Sequence, residues 1–262
     1  LYSGYFTRFQ GHSFPAHRIS KGLMTDICTR LEEEGKKNAT INRFISAVSM
    51  VLKYCKENDV ITFDLPTPFK RRKERDKTVR KYFTKEQVKD MLRISKDYMC
   101  REDLHDLILA ASLTGMRLSE LLKLPAWAVD FNLGVINVEM TKNDEARCIP
   151  IHPQLRSTLI KRCEGKPAKG FPGVKVFGND WSNADQVRYQ FGRLLHTHMD
   201  FPDTGAYVFH CLRHSFATWQ LAQGCPPIDL MSILGHANLQ TTLVYAKPTD
   251  DGKRNSMNKL EF

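Results

Sequence analysis

Features that would place the chain in a membrane or in an oxidising compartment are missing from its 262 residues. No stretch approaches the roughly 18–20 uncharged apolar residues of a membrane span, and no signal peptide opens the sequence. The seven cysteines are dispersed and never form a C-x-x-C pair, which argues against a disulfide framework and a zinc finger. We therefore expect a cytoplasmic protein with no membrane partner. Because the chain starts at Leu1 rather than at Met, we also expect it to be a fragment.

A P-loop, paired catalytic carboxylates and an acidic metal cluster are missing as well, which agrees with a site that holds neither a cofactor nor a metal. The contents of 42% hydrophobic and 10% aromatic residues exclude a wholly disordered chain. The 39 Lys and Arg residues exceed the 29 Asp and Glu residues and leave a formal charge of +10. That excess indicates a polyanionic partner, and nucleic acid is a more common one than a membrane surface.

More than half of the positive excess lies in one short segment, residues 70–81, which holds eight basic and two acidic residues. Pro66 and Pro68 precede it and discourage both helix and sheet, so residues 66–81 are predicted to link two domains. The segment is either a solvated connector or a strap that lies along DNA phosphates. In the second case the DNA contacts include Lys70, Arg71, Arg72, Lys73, Arg75, Lys77, Arg80 and Lys81.

Residues 1–65 are predicted to form a small helical domain. Leu23, Ile27 and Leu31 recur at helical spacing up to Gly35, the expected stop. A second helix follows, capped by Asn38 or Thr40. Its apolar face consists of Ile41, Phe44, Ile45, Val48, Val51, Leu52 and Cys55. Its other face is either an ordinary solvated surface or one that lies against a DNA backbone. That face carries Asn42, Arg43, Ser46, Ser49, Lys53 and Lys56.

Residues 82–247 are predicted to form a larger domain, mainly α with a small antiparallel β insert, followed by a tail at 248–262. A capping box from Thr84 to Gln87 opens its first helix. Two strand-like runs, 135–140 and 146–151, flank a turn and predict a β-hairpin. A later helix is predicted from His210 to Ala222, and a last short one begins near Asn238 and contains Tyr245.

The segment 114–120 places Arg117 at a helix junction, where a guanidinium is suited to bidentate contact with phosphate oxygens. The simpler interpretation is a surface arginine paired with Glu120. Farther along, His210 and His214 have the i, i+4 spacing of metal ligands, but no glutamate follows His210 and no third ligand is evident. A helix N-terminus that carries His and Arg is better suited to an anion.

Taken together and in order, the motifs resemble those of the tyrosine recombinase (phage integrase) family. Thr-Gly-x-Arg-x-x-Glu at 114–120 comes first, His-x-x-Arg-His at 210–214 second, Leu-Gly-His at 234–236 third, and Tyr245 last. The resemblance covers most of the chain. It implies the two-domain recombinase fold, in which a helical core-type DNA-binding domain precedes a catalytic domain. It also implies an integrase-like, site-specific enzyme that uses no metal and no external energy.

By this resemblance Arg117 and Arg213 clamp the scissile phosphate and Tyr245 is the nucleophile. His236 occupies the family's later His-or-Trp position and adds to the stabilisation of phosphate charge. His210 corresponds to the family's histidine three residues before the second arginine, and it is expected to assist proton removal from the tyrosine.

Lys142, in the predicted hairpin turn, corresponds to the family's mobile lysine, which protonates the leaving 5′ oxygen. Lys123 is a rival by composition but sits on another element. Glu120 and His214 resemble residues that orient the phosphate clamp. The implied reaction transfers a DNA phosphodiester through a 3′-phosphotyrosyl bond and frees a 5′-hydroxyl.

The resemblance implies double-stranded DNA as partner, a homotetramer on paired sites, and exchange of the tail 248–262 between protomers. Accessory DNA-bending proteins are candidate further partners. Two alternatives remain open at this stage: a type IB topoisomerase-like enzyme that reseals one duplex, and a catalytically silent site-specific DNA-binding protein. The amino-acid sequence does not identify the DNA target site, because contacts that read the bases depend on three-dimensional geometry. The choice between phage integrase, resolvase and mobile-element recombinase also stays open. If an N-terminal arm-binding domain preceded this sequence, the phage integrase would be favoured.

Overall fold

In the computed structural model the chain forms two compact units, residues 1–78 and 79–262. The structure describes residues 2–11, 14–62, 64, 68–74, 81–139, 146–165, 174–202 and 205–245. Helices dominate both units, and the second also contains a three-stranded antiparallel sheet, as the predicted α+β class requires. Among the helices of these ranges, none has both the length and the apolar character that a bilayer span requires.

Within its described residues the first unit contains the helices α1 (Tyr2–Gln10), α2 (Lys21–Glu33) and α3 (Asn38–Glu57). Ser20 caps α2, because its Oγ accepts a hydrogen bond of 3.1 Å from the Leu23 amide. Gly35 follows the helix with a φ of +74°, so the predicted stop is confirmed. The core of the unit consists of Met24, Ile27, Cys28, Leu31, Ile41, Phe44, Ile45, Leu52 and Phe69.

Several details predicted for α3 are wrong. The helix already begins at Asn38, so neither Asn38 nor Thr40 caps it, and the Asn38 amide donates instead to the Lys73 carbonyl at 2.9 Å. Val51 is 61% exposed, so it lies outside the buried face of the helix. Asn42, predicted on the solvated or DNA-facing side, is buried because the backbone of Arg72 covers it, with two reciprocal hydrogen bonds of 2.8 Å.

The first half of the basic segment packs against the first unit. Phe69 is buried in its core, and the Arg71 guanidinium donates to Ser46 Oγ at 2.9 Å. Arg72 forms an ion pair with Glu32. Phe69, Arg71 and Arg72 thus attach residues 68–74 to this unit, although most side chains of the segment are exposed.

The second unit is built from eight helices within the described ranges. They are α4 (Lys85–Arg93), α5 (Glu102–Thr114), α6 (Leu118–Lys123), α7 (Pro153–Cys163), α8 (Ala184–Arg193), α9 (His210–Ala222), α10 (Pro227–Leu234) and α11 (Leu239–Leu243). The predicted capping box is confirmed, since Thr84 Oγ1 accepts from the Gln87 amide and Gln87 Oε1 accepts from the Thr84 amide. The helix predicted from His210 to Ala222 has those bounds.

The sheet has the strand order β1 (Val129–Asp130), β2 (Val135–Val138) and β3 (Arg147–Pro150). Val138 pairs with Arg147, so β2 and β3 form the predicted hairpin, although both strands are shorter than the sequence pattern indicated. The hairpin turn at 141–145 lies outside the described residues. The sequence patterns did not predict β1, α1 or α7.

The end of the second unit differs from the prediction at Tyr245. Asn238 caps α11 as expected, accepting from the Gln240 amide at 2.8 Å, but the helix ends at Leu243 and does not contain Tyr245. The tyrosine follows the helix and is buried against Phe216 and other apolar residues of α9 and α10. This packing holds Tyr245 beside the N-terminal half of α9.

Candidate active site

A cleft of about 400 Å³ in the second unit brings together side chains that are far apart in the sequence. They come from the start of α6, the first turns of α9, the turn after α10, and α11 with the residues that follow it. The residues that line the cleft are Arg117, His210, Arg213, His214, His236, Thr241 and Tyr245. Every predicted catalytic residue except Lys142 is among them, and Lys142 lies outside the described residues.

Arg117 is held by a buried carboxylate and still reaches the cleft. Glu120 Oε1 accepts from Arg117 Nη1 at 2.8 Å, while Glu120 Oε2 accepts from the Arg117 backbone amide at 2.8 Å. The Glu120 side chain is only 3% exposed, whereas that of Arg117 is 30% exposed. The ion pair predicted as the simpler interpretation is therefore present, and it orients an arginine whose other side faces the cleft.

Arg213 lies beneath the cleft and is 2% exposed. Its Nη1 donates to the Gly115 carbonyl at 2.9 Å and its Nη2 to the Leu234 carbonyl at 2.8 Å, so it joins the ends of α5 and α10. Because an arginine has five N–H groups, these two bonds leave donors for a ligand in the cleft. Burial, together with the positive charge of Arg117, lowers the pKa of Arg213 to about 10, and the guanidinium stays charged at neutral pH.

The hydroxyl of Tyr245 forms a hydrogen bond of 2.7 Å with Nδ1 of His214. The ring of His210 packs edge-on against that of His214, with ring centroids 4.7 Å apart. The sequence interpretation gave His210 the contact with the tyrosine proton and His214 an indirect role at the clamp. The structure places the His214 ring at the tyrosine oxygen, because Tyr245 lies beside the second turn of α9. The part of His210 in proton transfer stays a prediction.

His236 also lies next to the tyrosine ring. The two rings are nearly parallel, at 14°, with centroids 6.5 Å apart. His236 Nδ1 forms a hydrogen bond of 2.8 Å with Oγ1 of Thr242, a fully buried side chain. This bond fixes the imidazole ring, so the Leu-Gly-His turn presents His236 to the cleft in a defined orientation.

Sequence reasoning missed Arg147, at the start of β3. Its Nη2 donates to Glu120 Oε2 at 2.8 Å, and its side chain is only 4% exposed. Burial alone would raise the pKa of Glu120, but the hydrogen bond and charge of Arg147 and the contacts of Arg117 outweigh it, so the pKa of that carboxyl lies below its ordinary value. The signal that could have found Arg147 is its register: alternate residues of a strand share a face, and the next residue on that face, Ile149, is buried.

The predicted DNA-contact residues are mostly exposed. Arg43, Lys53, Lys70, Arg71, Lys73 and Lys81 are exposed and Arg72 is half-buried, whereas Arg75, Lys77 and Arg80 lie outside the described residues. Lys53 lies 3.6 Å from Glu57, one helical turn farther along α3. Their role in DNA binding stays a prediction.

A wider cleft of about 770 Å³ adjoins the first and shares Arg117 and His210 with it. It runs along α8, which contributes Arg188, Tyr189 and Arg193. Cations from several elements therefore line one continuous depression of the second unit, an arrangement suited to an extended polyanion. In the ranges that the structure describes, no group of three or more His, Cys, Asp and Glu side chains is placed to hold a metal ion.

Comparison with known proteins gives consistent relatives. The tyrosine recombinase XerA of Saccharolobus solfataricus is 29% identical over 226 residues, which cover 86% of this chain and 69% of that protein. The integrase of Escherichia phage P2 is 26% identical over 231 residues, covering 88% of this chain and 62% of the phage protein.

Solved structures share the fold. The Tn1549 transposon integrase in complex with a circular intermediate DNA superposes with a TM-score of 0.74 at 24% identity, covering 98% of this chain and 92% of that one. The recombinase XerH bound to a palindromic difH substrate gives 0.74 at 19% identity, with 99% and 78% covered. Residues 81–251 match the model of the phage integrase family. The chain therefore belongs to the phage integrase family and is a recombinase of the tyrosine type.

Proposed function

We propose that this protein is a site-specific DNA recombinase that cuts and rejoins strands through a 3′-phosphotyrosyl intermediate. One observation carries the proposal: Tyr245 lines the same cleft as Arg117, Arg213 and His236. A nucleophile beside fixed cations is the arrangement that phosphoryl transfer requires, since charge on the non-bridging oxygens must be stabilised in the transition state.

In the proposed step the Tyr245 oxygen attacks the scissile phosphorus in line. A bond forms between that oxygen and phosphorus, the bond from phosphorus to the 5′ oxygen breaks, and the 3′ phosphate stays on the tyrosine. Arg117, Arg213 and His236 donate hydrogen bonds to the non-bridging oxygens. These three side chains supply the charge stabilisation that a metal supplies in other enzymes, so the proposed route is metal-free.

Two protons move in this step. The tyrosine proton passes to a histidine of α9, either His214, which already bonds the hydroxyl, or His210, as the family resemblance implies. Lys142 protonates the leaving 5′ oxygen. Attack by the 5′-hydroxyl of another strand on the phosphotyrosyl bond then reverses the chemistry, releases Tyr245 and exchanges strands without an external energy source.

The proposed partner is double-stranded DNA, and the relatives of this fold that were solved with DNA support it. We assign residues 82–247 to catalysis, 66–81 to the interdomain link and 1–65 to DNA binding, with the exposed basic residues of the first unit as phosphate contacts. Exchange between two duplexes requires four protomers on paired sites, with the tail 248–262 passing between them. We also propose accessory DNA-bending proteins as further partners and a mobile element as the source of the recombination sites.

The test uses a nicked suicide duplex that carries the flanking sequence of the native element, from which the cleaved strand end diffuses away. Wild-type protein is expected to become covalently attached to the 3′ end of the cut. A plasmid with two sites should then yield recombinants, whereas supercoil relaxation of a one-site plasmid without recombinants would indicate the topoisomerase-like alternative. Site binding without any covalent attachment would indicate a silent DNA-binding protein.

A further inference from the structure

Arg147 joins two parts of the candidate active site that come from different elements. It lies at the start of β3 and does not line the cleft. Its Nη2 donates to Glu120 Oε2 at 2.8 Å, and its Nε donates to the carbonyl of Ile233 at 2.8 Å. Because Arg147 is absent from the cleft lining and both of these bonds are to protein atoms, we argue its role from its protein contacts rather than from contact with a ligand.

The first contact determines the orientation of Arg117. Glu120 Oε2 accepts from both Arg147 and the Arg117 backbone amide, and Glu120 Oε1 accepts from the Arg117 guanidinium. The carboxylate is therefore fixed between two arginines. Without Arg147, the buried carboxylate would keep only its bonds to Arg117, and the loss of one partner of a buried charge is strongly disfavoured.

The second contact determines the position of His236. Ile233 lies in the last turn of α10, and the turn that follows passes through Gly235, whose φ is +66°. A Cβ on Gly235 would lie 2.8 Å from Arg147 Nη1 and 3.1 Å from its Cζ, so the guanidinium packs directly on this turn. Arg213 holds the adjacent carbonyl of Leu234. Two arginines thus fix successive carbonyls just before His236.

We propose that Arg147 is a positioning residue that holds Arg117 and His236 at a fixed separation, so that both contact the same scissile phosphate. The inference rests on the proposed function for its catalytic part. Its structural part, the link from Glu120 to the Gly235 turn, stands independently. A displacement of about 1 Å in such a group reduces a rate by about 10²-fold, so the residue matters for catalysis although it never touches DNA.

The experiment compares wild type, Arg147→Met and Arg147→Lys on two suicide duplexes. One has a normal scissile phosphate, and the other has a methylphosphonate that replaces one charged oxygen by methyl. Arg147→Met is expected to cleave the normal duplex about 10²-fold more slowly and the neutral duplex with a much smaller loss, because less charge needs stabilising. Arg147→Lys, which keeps the charge next to Glu120, is expected to recover part of the rate. Equal losses on both duplexes would overturn the proposal.

Arg162→Met is the matched control. Arg162 is likewise an ion-paired arginine, half-buried with 15% of its side chain exposed and bonded to Asp106 at 2.6 Å, but it lies outside the cleft. The Arg162→Met variant is expected to have a lower unfolding midpoint. The ratio of its cleavage rates on the normal and the methylphosphonate duplex should equal that of wild type. If Arg162→Met changes that ratio as Arg147→Met does, the effect is global and the proposal is wrong.

Hydrogen exchange separates this inference from the proposed function. The His236 amide donates to the Met231 carbonyl at 3.1 Å, and Arg147→Met is expected to accelerate its exchange more than exchange in α4, at the far end of the unit's sequence. Unchanged exchange at His236 overturns the link, whatever the enzyme does. A wild-type protein that never attaches to DNA overturns the proposed function, while the exchange result still decides whether Arg147 fixes the turn.

Discussion

The hydroxyl of Tyr245 lies 2.7 Å from Nδ1 of His214, and the ring centroids of the two residues are 5.5 Å apart. The contact joins the segment after α11 to the second turn of α9. It therefore fixes the tyrosine oxygen at the cleft before any DNA is bound. A hydrogen bond of this kind either holds the nucleophile in place or accepts its proton, and the two roles respond differently to substitution.

His214→Phe removes the bond and is expected to slow covalent attachment by about 10²–10⁴-fold, the range for loss of a proton-transfer partner. His214→Gln retains a hydrogen-bond acceptor but cannot take up a proton. A rate that recovers in the Gln variant indicates that His214 holds the hydroxyl, and a rate as low as in the Phe variant indicates that it accepts the proton. His210→Gln, measured in parallel, tests the same role at the residue that the family resemblance favours. An unchanged rate in His214→Phe contradicts both roles for His214.

Lys142→Ala is expected to block cleavage of a normal duplex, because the leaving 5′ oxygen then departs without a proton. A duplex with sulfur in place of that bridging oxygen has a leaving group that needs no protonation, so it should be cleaved by the variant nearly as fast as by wild type. Lys123→Ala serves as control, since Lys123 was the rival by composition. If Lys142→Ala loses equal activity on both duplexes, the residue is not the general acid.

Acid should weaken the fold partly through Glu120. Its pKa is lower in the folded protein than the unfolded value of about 4.3. The stability that this carboxylate contributes is therefore fully present above that pH and is lost as the pH falls through the folded pKa. Urea unfolding of wild type and Glu120→Gln is expected to show a difference in the free energy of unfolding that is largest above about pH 4.3 and shrinks as the pH falls further.

The partners of Glu120 provide the control for this titration. Arg117 and Arg147 bond the carboxylate, and the charge of Arg213 is also close enough to interact with it. In an Arg147→Met background the pKa of Glu120 should be less depressed. The effect of Glu120→Gln on the free energy of unfolding should therefore depend less on pH in that background. If the difference in free energy of unfolding between wild type and Glu120→Gln stays constant with pH, Glu120 does not contribute to the pH dependence of stability in this way.

Gly235→Ala is expected to damage both stability and catalysis. Gly235 and Gly224 both have a positive φ, of +66° and +87°, so alanine at either position is strained by about 1 kcal/mol. Gly224 has no neighbour within 4 Å of an added Cβ, whereas at Gly235 the Cβ would lie 2.8 Å from Arg147 Nη1. Gly224→Ala should therefore lower only the urea midpoint, and Gly235→Ala should also slow covalent attachment. Equal attachment rates in the two variants would contradict the role given to this turn.

Local signals made much of the fold predictable. The capping box at Thr84, the glycine stop at Gly35 and the bounds of α9 each depend on residues within a few positions of one another. The hairpin could be predicted because alternation and a turn are also local. Five of the catalytic candidates could be placed in one site only because their order resembled a family.

The remaining details depend on contacts between distant segments. Asn42 is buried because Arg72, thirty residues farther along the chain, folds over it, and no periodicity within α3 contains that information. Arg147 is recognisable as part of the site only when Glu120 and the end of α10 are seen beside it. The contact of His214 also depends on distant segments, because its partner Tyr245 comes from the residues that follow α11.

The central claim is that Tyr245 is the nucleophile of a strand-transfer reaction, and covalent trapping on a nicked suicide duplex tests it most directly. Wild type should yield a protein–DNA adduct joined to the 3′ phosphate. Tyr245→Phe should yield none while it binds the same site with nearly unchanged affinity. An adduct of undiminished yield with Tyr245→Phe would contradict the account.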